Sequence, residues 1–407
     1  MKKFTIIYLC LYLSVFVATA QQVQLKDYHH ALKTKGKAPQ EYALDKIKQH
    51  DLLIFDDANH VALEPFLFYQ DLLKNEGFRQ NIDYIFIELF NINNQKHLDA
   101  FLNAPTLQLQ LLAPVFQNEL SGFSKSYQTY VDLLTTVYKI NQKLARPDRV
   151  RVIAVGSPTY WPLIHDEEDL NNFRVTTDSY DYTMYTTILN YLNNFNSGKK
   201  GILLTNTRHA YKGLKDKDGR YMQNCADFFT QYKPGKTCSI RIHNAVLRAI
   251  PKTEKEMEGV ARTQEGLERY HIGWGRVDNG KWDQAFKANG NKPIGFDIKD
   301  TPFGQTKFEG NQSQKAHSSM QMQDVNDGIV FLAPLENLRK SATTDIFITD
   351  DFVKELERRI LILWGKPYVE EQVSKQGLKN TEEYLRALLK PEPVMPLPSA
   401  QAAVKAQ

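Results

Sequence analysis

The chain has 407 residues, about two to three times the size of a typical single domain. Its 42% hydrophobic and 24% charged residues are ordinary for a globular protein, which excludes wholesale disorder and a polytopic membrane protein. Fifty-one Lys and Arg residues nearly balance 47 Asp and Glu residues, which excludes the concentrated basic surface of a dedicated nucleic-acid-binding protein.

The first twenty residues have the pattern of a secretory signal peptide. Two lysines follow Met1, an uncharged run covers residues 4–17, and small residues stand at positions 18–20. The run is too short to span a bilayer comfortably. We therefore expect residues 1–20 to be removed and the protein to be exported to the periplasm or the extracellular space, without a stable membrane span. A retained N-terminal anchor is the alternative.

Short apolar runs alternate with helical patterns along the rest of the chain. The runs are rich in Ile, Val and Phe and apolar on both faces, which is typical of buried parallel strands. They cover residues 51–55, 84–89, 151–155, 200–205, 293–298 and 329–333. The alternation predicts an α/β fold with a mostly parallel β-sheet flanked by helices on both faces. Residues 239–250 alternate between polar and apolar side chains, and their start is predicted to be an edge or antiparallel strand.

We expect residues 21–370 to form a single α/β domain with an insertion at about 213–290, part of which suits a lid at the rim of the sheet. Residues 371–407 are expected to begin as a helix and to end as a disordered tail. Four prolines follow Lys390, and such segments do not bury a core.

Two cysteines, Cys225 and Cys238, remain after removal of the signal peptide. An oxidising compartment permits them to pair, and closing the short loop between them would contribute roughly 3 kcal/mol. Two unpaired buried thiols are the alternative. A zinc site is disfavoured, because no second pair of ligands stands at the required spacing nearby.

Ionisable residues follow three of the predicted strands. The first strand leads to Asp57 and His60, the second ends in Glu88, and the fourth leads to His209. Ligands of open α/β sheets bind at the carboxyl ends of the strands, and a carboxylate in an apolar run is costly without a partner. Each residue alone also suits a helix cap, a loop or an ion pair, but together they predict one shared site. Glu64 lies four residues after His60 and is an auxiliary candidate.

The segments around these residues resemble the erythromycin-esterase, ChaN and Tiki/TraB superfamily. LLIFDDANH at residues 52–60 and YIFIELF at 84–90 are similar to the family's first two motifs, and ILLTNTRHAYKG at 202–213 is similar to a later one. Asp181 matches the start of a helix motif. The resemblance covers roughly residues 40–340 and implies the same α/β fold.

Carried over by motif, Asp57 stands where the esterases have Glu, and His60, Glu88 and His209 match the family's histidines and second-strand glutamate. Two departures are present. Asp56-Asp57 replaces Gly-Glu, and Tyr69 stands nine residues after His60, where the esterases have Arg. These departures argue against a macrolide substrate.

The residue types indicate hydrolytic chemistry. His60 suits a general base, with Asp57 or Glu88 orienting its ring, and His209 suits a donor to the oxyanion or the leaving group. No G-x-S-x-G nucleophile motif is present, which favours direct attack by water. We therefore expect a hydrolase acting on an ester or related acyl bond of a small-molecule or peptide substrate.

Two binding functions are the alternatives. Asp57, His60, Glu88 and His209 also suit a divalent metal such as zinc or manganese, and the resemblance includes metal-dependent Tiki-like proteases. ChaN-like members bind haem, for which tyrosines could serve as ligands. Loss of catalysis, with a binding or structural role retained, is a third reading.

Overall fold

The computed structural model describes residues 24–118, 126–176, 179–258 and 269–406. The predicted signal peptide lies outside these residues. Within them, no helix combines the length and the apolar character that crossing a membrane requires.

The strands form where the sequence has short apolar runs. In chain order, the described strands are β1 (Leu52–Asp56), β2 (Tyr84–Asn91), β3 (Ser126–Tyr127), β4 (Arg151–Gly156), β5 (Gly201–Thr205), β6 (Thr237–Ile242), β7 (Val246–Pro251), β8 (Tyr270–Gly275), β9 (Ile294–Asp297), β10 (Gly328–Phe331), β11 (Arg339–Lys340), β12 (Thr343–Thr344) and β13 (Met395–Pro396).

Helices fill most of the intervals between the strands. The described α-helices are α1 (Leu25–Lys35), α2 (Pro39–Gln49), α3 (Leu63–Lys74), α4 (Glu76–Arg79), α5 (Gln95–Asn103), α6 (Ala113–Gln117), α7 (Gln128–Asn141), α8 (Glu167–Thr176), α9 (Tyr180–Tyr191), α10 (Cys225–Tyr232), α11 (Lys281–Ala288), α12 (Pro302–Gln305), α13 (Met322–Val325), α14 (Asp350–Trp364), α15 (Lys366–Lys375), α16 (Thr381–Leu388) and α17 (Pro398–Lys405).

The main sheet has the order β4-β2-β5-β1-β6-β10-β9. Its neighbouring strands are parallel except at one edge, where β9 pairs antiparallel with β10. Both faces are covered: Leu53 and Phe55 pack in a cluster with α3 and α7, while Leu52 and Ile54 pack in a cluster with α9 and α10. The predicted α/β fold with a mostly parallel, two-sided sheet is confirmed.

The prediction for residues 239–250 was wrong. The first part of this segment is β6, a parallel strand in the interior of the sheet between β1 and β10. Its polar side chains alternate with apolar ones but do not face water: Ser239 donates a hydrogen bond to the carbonyl oxygen of Ala210, and Arg241 is buried. The segment 213–290, which the sequence predicts to be an insertion, contains this central strand.

The end of the chain also differs from its prediction. The segment expected to be a disordered tail forms β13, which pairs with β11, and then α17. Pro398 occupies the first turn of α17, where a missing N–H has no cost, and Leu397 and Ala400 are buried. Pro396 therefore ends β13 and Pro398 begins α17, so these prolines are compatible with regular structure.

Cys225 and Cys238 do not form the disulfide that the sequence permitted. Both thiols are free and buried. Cys225 belongs to the apolar cluster on one face of the sheet and Cys238 to the cluster on the other face, so their side chains are packed apart. The alternative of two unpaired buried thiols is the observed one.

Candidate active site

The carboxyl ends of β2, β5 and β1 lie side by side in the sheet. Asp57 and His60 lie in the segment after β1, and His209 lies in a short 3-10 helix after β5. Glu88 lies in β2, one residue beyond the last position at which β2 pairs with β5. Parallel strand order thus brings three distant segments of the chain to one edge.

The four predicted side chains form one continuous network. His60 Nδ1 lies 3.1 Å from Asp57 Oδ2, and His60 Nε2 lies 3.4 Å from Glu88 Oε2. The other oxygen of Glu88, Oε1, lies 3.4 Å from His209 Nε2. A single carboxylate therefore bridges two imidazole rings.

Asp181 completes this network and was not predicted as a site residue. It lies at the start of α9, and its Oδ1 is 2.7 Å from His209 Nδ1. The same oxygen accepts a hydrogen bond of 2.8 Å from the backbone N–H of Cys225. The only sequence signal for Asp181 was its place in the helix motif of the resemblance.

The resulting arrangement consists of two aspartate–histidine pairs that share Glu88. In each pair an aspartate holds the Nδ1 side of the ring, which leaves Nε2 as the nitrogen available for proton transfer. Both Nε2 atoms point toward the same carboxylate. The site can therefore place a proton donor and a proton acceptor on either side of one anion.

Asp56 holds together the two segments that carry the histidines. Its Oδ1 accepts hydrogen bonds from the backbone N–H groups of Ala58, at 2.8 Å, and of Thr207, at 2.6 Å. Ala58 and Thr207 have φ angles of 57° and 42°, in the left-handed region that residues other than glycine rarely adopt. A buried, charged acceptor offsets part of that strain. The sequence identified Asp56 only as a departure from the first motif.

The carboxylate of Glu88 has further donors. Thr205 donates its hydroxyl to Oε2, and the backbone N–H of Asn206 donates to the same oxygen at 3.2 Å. Tyr180 donates its hydroxyl to the main-chain carbonyl of Glu88 at 3.0 Å. The two donors to Oε2, together with His60 and His209, explain how this carboxylate can remain ionised in an apolar strand.

The pKa values follow from this network. Burial alone would raise the pKa of Glu88, but His209, His60 and the hydroxyl of Thr205 lower it to about 2. Burial alone would lower the pKa of both histidines. The carboxylates of Asp57 and Glu88 instead raise the pKa of His60 well above its ordinary value, and Glu88 and Asp181 raise that of His209. Burial raises the pKa of Asp57 to about 6, against the opposing effect of His60.

Glu64 does not join the site. Its carboxylate pairs with Arg339, whose Nε lies 2.8 Å from Oε1 and whose backbone N–H donates to Oε2 at 3.0 Å. Glu64 is in the first turn of α3, and this helix begins three residues after His60, so the two do not share the helix face that the spacing suggested. The auxiliary role predicted for Glu64 was wrong.

A cleft of about 490 Å³ opens beside the network. His209 lines it together with Arg208, Arg241 and Trp274, and so do the two strained residues Ala58 and Thr207. The side chain of His60 is 16% exposed but does not line the cleft, whereas His209 lines it with a side chain that is 7% exposed. A small substrate could therefore reach the histidine edge of the sheet from this cleft.

The geometry does not favour the metal alternative for Asp57, His60, Glu88 and His209. Within the described ranges, no three His, Cys, Asp or Glu side chains are grouped so that they could hold a metal ion. For haem, the nearby Tyr69 and Tyr130 are buried in the packing of α3 and α7.

Comparisons with known proteins find similar architectures at low identity. No family model matches the chain, and no curated protein matches it. Among solved structures, a mutant of the erythromycin esterase EreC in its open conformation is 10% identical, with a TM-score of 0.47, and the alignment covers 72% of this chain and 92% of that one.

Two further solved structures match over similar lengths. A succinoglycan biosynthesis protein is 9% identical, with a TM-score of 0.49, over 76% of this chain and 97% of that one. A protein from Bacillus cereus is 12% identical, with a TM-score of 0.42, over 76% and 97%. At these scores the likenesses do not assign a function, and the case for one rests on the site itself.

Proposed function

We propose that the protein is a hydrolase that cleaves an ester or related acyl bond by direct attack of water. The observation that carries this proposal is the pair of aspartate-oriented histidines whose Nε2 atoms both face Glu88, with His209 lining a cleft. A base and an acid on either side of one carboxylate are the groups that acyl hydrolysis needs.

His60 is proposed as the general base. Water loses a proton to His60 Nε2 while its oxygen forms a bond to the acyl carbon. Asp57 holds the ring by Nδ1 and stabilises the imidazolium that forms. The raised pKa of His60 makes it a strong base once it has lost its own proton.

His209 is proposed as the general acid. Asp181 keeps its ring oriented, and the carboxylates of Glu88 and Asp181 raise the pKa of His209 against the effect of burial, which favours the protonated ring. Its Nε2 proton passes to the leaving oxygen as the acyl–oxygen bond breaks. The proton gained by His60 then returns to His209 across Glu88, which contacts both rings, and the cycle is balanced.

A covalent intermediate on the nearest thiol is not part of this mechanism. Burial raises the pKa of the Cys225 thiol well above its ordinary value, and the carboxylates of Asp181 and Glu88 raise it further. A buried thiol in this environment remains protonated and is a poor nucleophile. Direct attack by water is therefore the simpler route.

The test is hydrolysis of a panel of carboxylic esters, lactones and thioesters by the purified protein, with proton release as the readout. We expect turnover without a burst, and one atom of ¹⁸O in the acid product for each turnover in H₂¹⁸O. His60→Ala should lose this activity while its circular dichroism spectrum stays unchanged. Turnover that survives in His60→Ala, or the absence of turnover across the whole panel, would refute the proposal.

A chelator experiment separates this mechanism from the metal alternative. Protein purified without chelator and then dialysed against EDTA should keep its activity, and elemental analysis should find less than stoichiometric zinc or manganese. Activity that disappears on dialysis and returns with one of these metals would instead support a metal-dependent hydrolase. Titration with haemin, followed by absorbance, tests the haem-binding alternative in the same way.

We also propose that the protein acts in the periplasm or outside the cell. The charged start, apolar run and small residues at positions 1–20 support this proposal. N-terminal sequencing of the protein from the exported fraction should begin at Gln21. A membrane-bound form that retains residues 1–20 would contradict it.

A further inference from the structure

Arg241 is a buried arginine with unused hydrogen-bonding capacity. It lies near the carboxyl end of β6, is 2% exposed, and lines the same cleft as His209. Its Nε and Nη1 have no hydrogen-bond partner in the described part of the chain. Buried charged groups in native structures are almost always paired, so these donors require an explanation.

The nearest carboxylate does not satisfy this guanidinium. Asp56 Oδ2 lies 3.8 Å from Arg241 Nη1, which is an ion pair but is too long for a hydrogen bond. The other oxygen of Asp56 is already committed to the backbone N–H groups of Ala58 and Thr207. Asp56 therefore balances the charge of Arg241 but does not accept a hydrogen bond from the Nε or Nη1 atoms of its guanidinium.

The other acidic group near this part of the cleft is Glu309, and it has a cation of its own. Glu309 Oε2 lies 3.5 Å from Arg248 Nη2. Arg248 therefore offsets its negative charge more than Arg241 does. Arg241 Nε and Nη1 thus remain donors without an acceptor among the described residues.

The rest of the cleft wall suits a small molecule with one polar and one apolar end. Arg208 is exposed at the cleft and adds a second positive charge, and Asn206 and Asn311 add amide groups. Val246 and Trp274 supply apolar surface. A volume of about 490 Å³ is in the range of sites for small molecules.

We propose that Arg241 binds an oxyanion group of the substrate, a carboxylate or a phosphate, and so makes the enzyme selective for anionic esters. The guanidinium fork matches both groups in a bidentate geometry. The selectivity for anionic esters rests on the proposed hydrolase function, because the anion is held beside His209 while the acyl bond is cleaved. The binding of the anion itself does not depend on that function.

The test compares two nitrophenyl esters that differ only at the far end of the acyl chain, where one has a free carboxylate and the other its methyl ester. The native protein should prefer the anionic ester about 10- to 100-fold in kcat/KM, the range expected for hydrogen bonds to a charged group. Arg241→Met should lose that preference. Acetate and inorganic phosphate should inhibit competitively, and the stronger inhibitor identifies which of the two anions the site takes.

The matched control is Arg276→Met. Arg276 is also a buried arginine, but its Nη1 lies 3.0 Å from Asp283 and its Nη2 pairs with Glu336, in a different cleft. This variant should keep the preference for the anionic ester. If Arg241→Met does not fold, Arg241→Lys retains the charge without the fork and should lose most of the preference.

Two outcomes would overturn the inference. The native protein could fail to discriminate between the two esters, or an Arg241 variant could lose thermal stability while its preference is unchanged, in which case Arg241 is only a structural partner of Asp56. If neither ester is hydrolysed, the proposed function fails. Calorimetric titration of native protein and Arg241→Met with acetate and phosphate then decides the anion site separately.

Discussion

Besides His60 and Asp57, two further histidine–aspartate pairs lie at the same edge of the sheet, on either side of β1. His209 follows β5 and pairs with Asp181 at 2.7 Å, and His243 follows β6 and pairs with Asp283 at 3.3 Å. Each pair has a cleft nearby, of about 490 Å³ and about 390 Å³ respectively. By residue type and by strand position, the two pairs would be equal candidates for a site.

The surroundings of His243 and His209 differ. The side chain of His243 is 0% exposed and packs against Trp282, Phe286 and Phe331, and it is not part of the wall of its cleft. His209 lines the cleft of about 490 Å³, and its Nε2 faces the carboxylate of Glu88, which it shares with His60. A histidine at a strand end becomes a candidate for catalysis when access and a second converging group are both present. Otherwise it is part of the core.

The largest expected effect distinguishes His209 from His243 directly. His209→Ala should lower kcat/KM about 10²- to 10⁴-fold, because the general acid is lost. His243→Ala should leave kcat/KM within a few-fold of the native value but lower the free energy of unfolding by about 3 kcal/mol, because it leaves a cavity among aromatic side chains. Ester hydrolysis and urea denaturation of both variants give the two readouts. Equal losses of activity would contradict the distinction.

Glu88→Gln should have the next largest effect. It removes the anion that both rings share, so the pKa values of His60 and His209 should fall toward the ordinary histidine value, and kcat/KM should fall at least about 10²-fold. Titration of the histidine ring signals by NMR measures the pKa values. Asp283→Asn is the control and should leave the titration of His60 and His209 unchanged. Unchanged pKa values in Glu88→Gln would mean that the shared carboxylate does not couple the two rings.

The change of kcat/KM with pH in the native protein should be smaller than the effect of either substitution. The active form has one of the two site histidines neutral and the other protonated. Both pKa values are raised, so kcat/KM should rise with pH above the ordinary histidine range and then fall again at higher pH. Glu88, with a pKa of about 2, should add no limb between pH 4 and 6. A profile that is already flat by about pH 5 would show that these histidines do not titrate in the catalytic step.

The sequence was sufficient to locate most strands of the sheet and to group four side chains that the structure brings together. Continuous apolar runs predict buried strands whatever their neighbours are, and Glu88 stands out because a carboxylate interrupts such a run. Asp57, His60 and His209 follow from the rule that parallel strands present their carboxyl ends at one edge. These inferences depend only on local pattern and on strand direction.

The remainder depends on contacts between distant segments, which local pattern does not contain. Asp181 reaches His209 only because α9 packs beside the end of β5, and the role of Asp56 depends on backbone N–H groups of two turns. The polar positions of β6 suggested contact with solvent, whereas Ser239 and Arg241 are both buried. A polar residue with a buried partner and one facing water look identical in the sequence.

The smallest expected effect concerns Glu64, which the sequence grouped with the site and the structure places outside it. Glu64→Gln weakens an ion pair between Glu64, whose side chain is 10% exposed, and Arg339, whose side chain is 48% exposed. An ion pair with one partner in solvent contributes little, and the Gln amide oxygen can still accept the Arg339 hydrogen bonds, so the free energy of unfolding should fall by no more than about 1 kcal/mol, and kcat/KM should stay within about two-fold of the native value. Arg339→Gln should have the same small effect on stability, because it removes the other half of the same pair. A large loss of activity in Glu64→Gln alone would mean that this carboxylate reaches the histidine network and that the site includes Glu64.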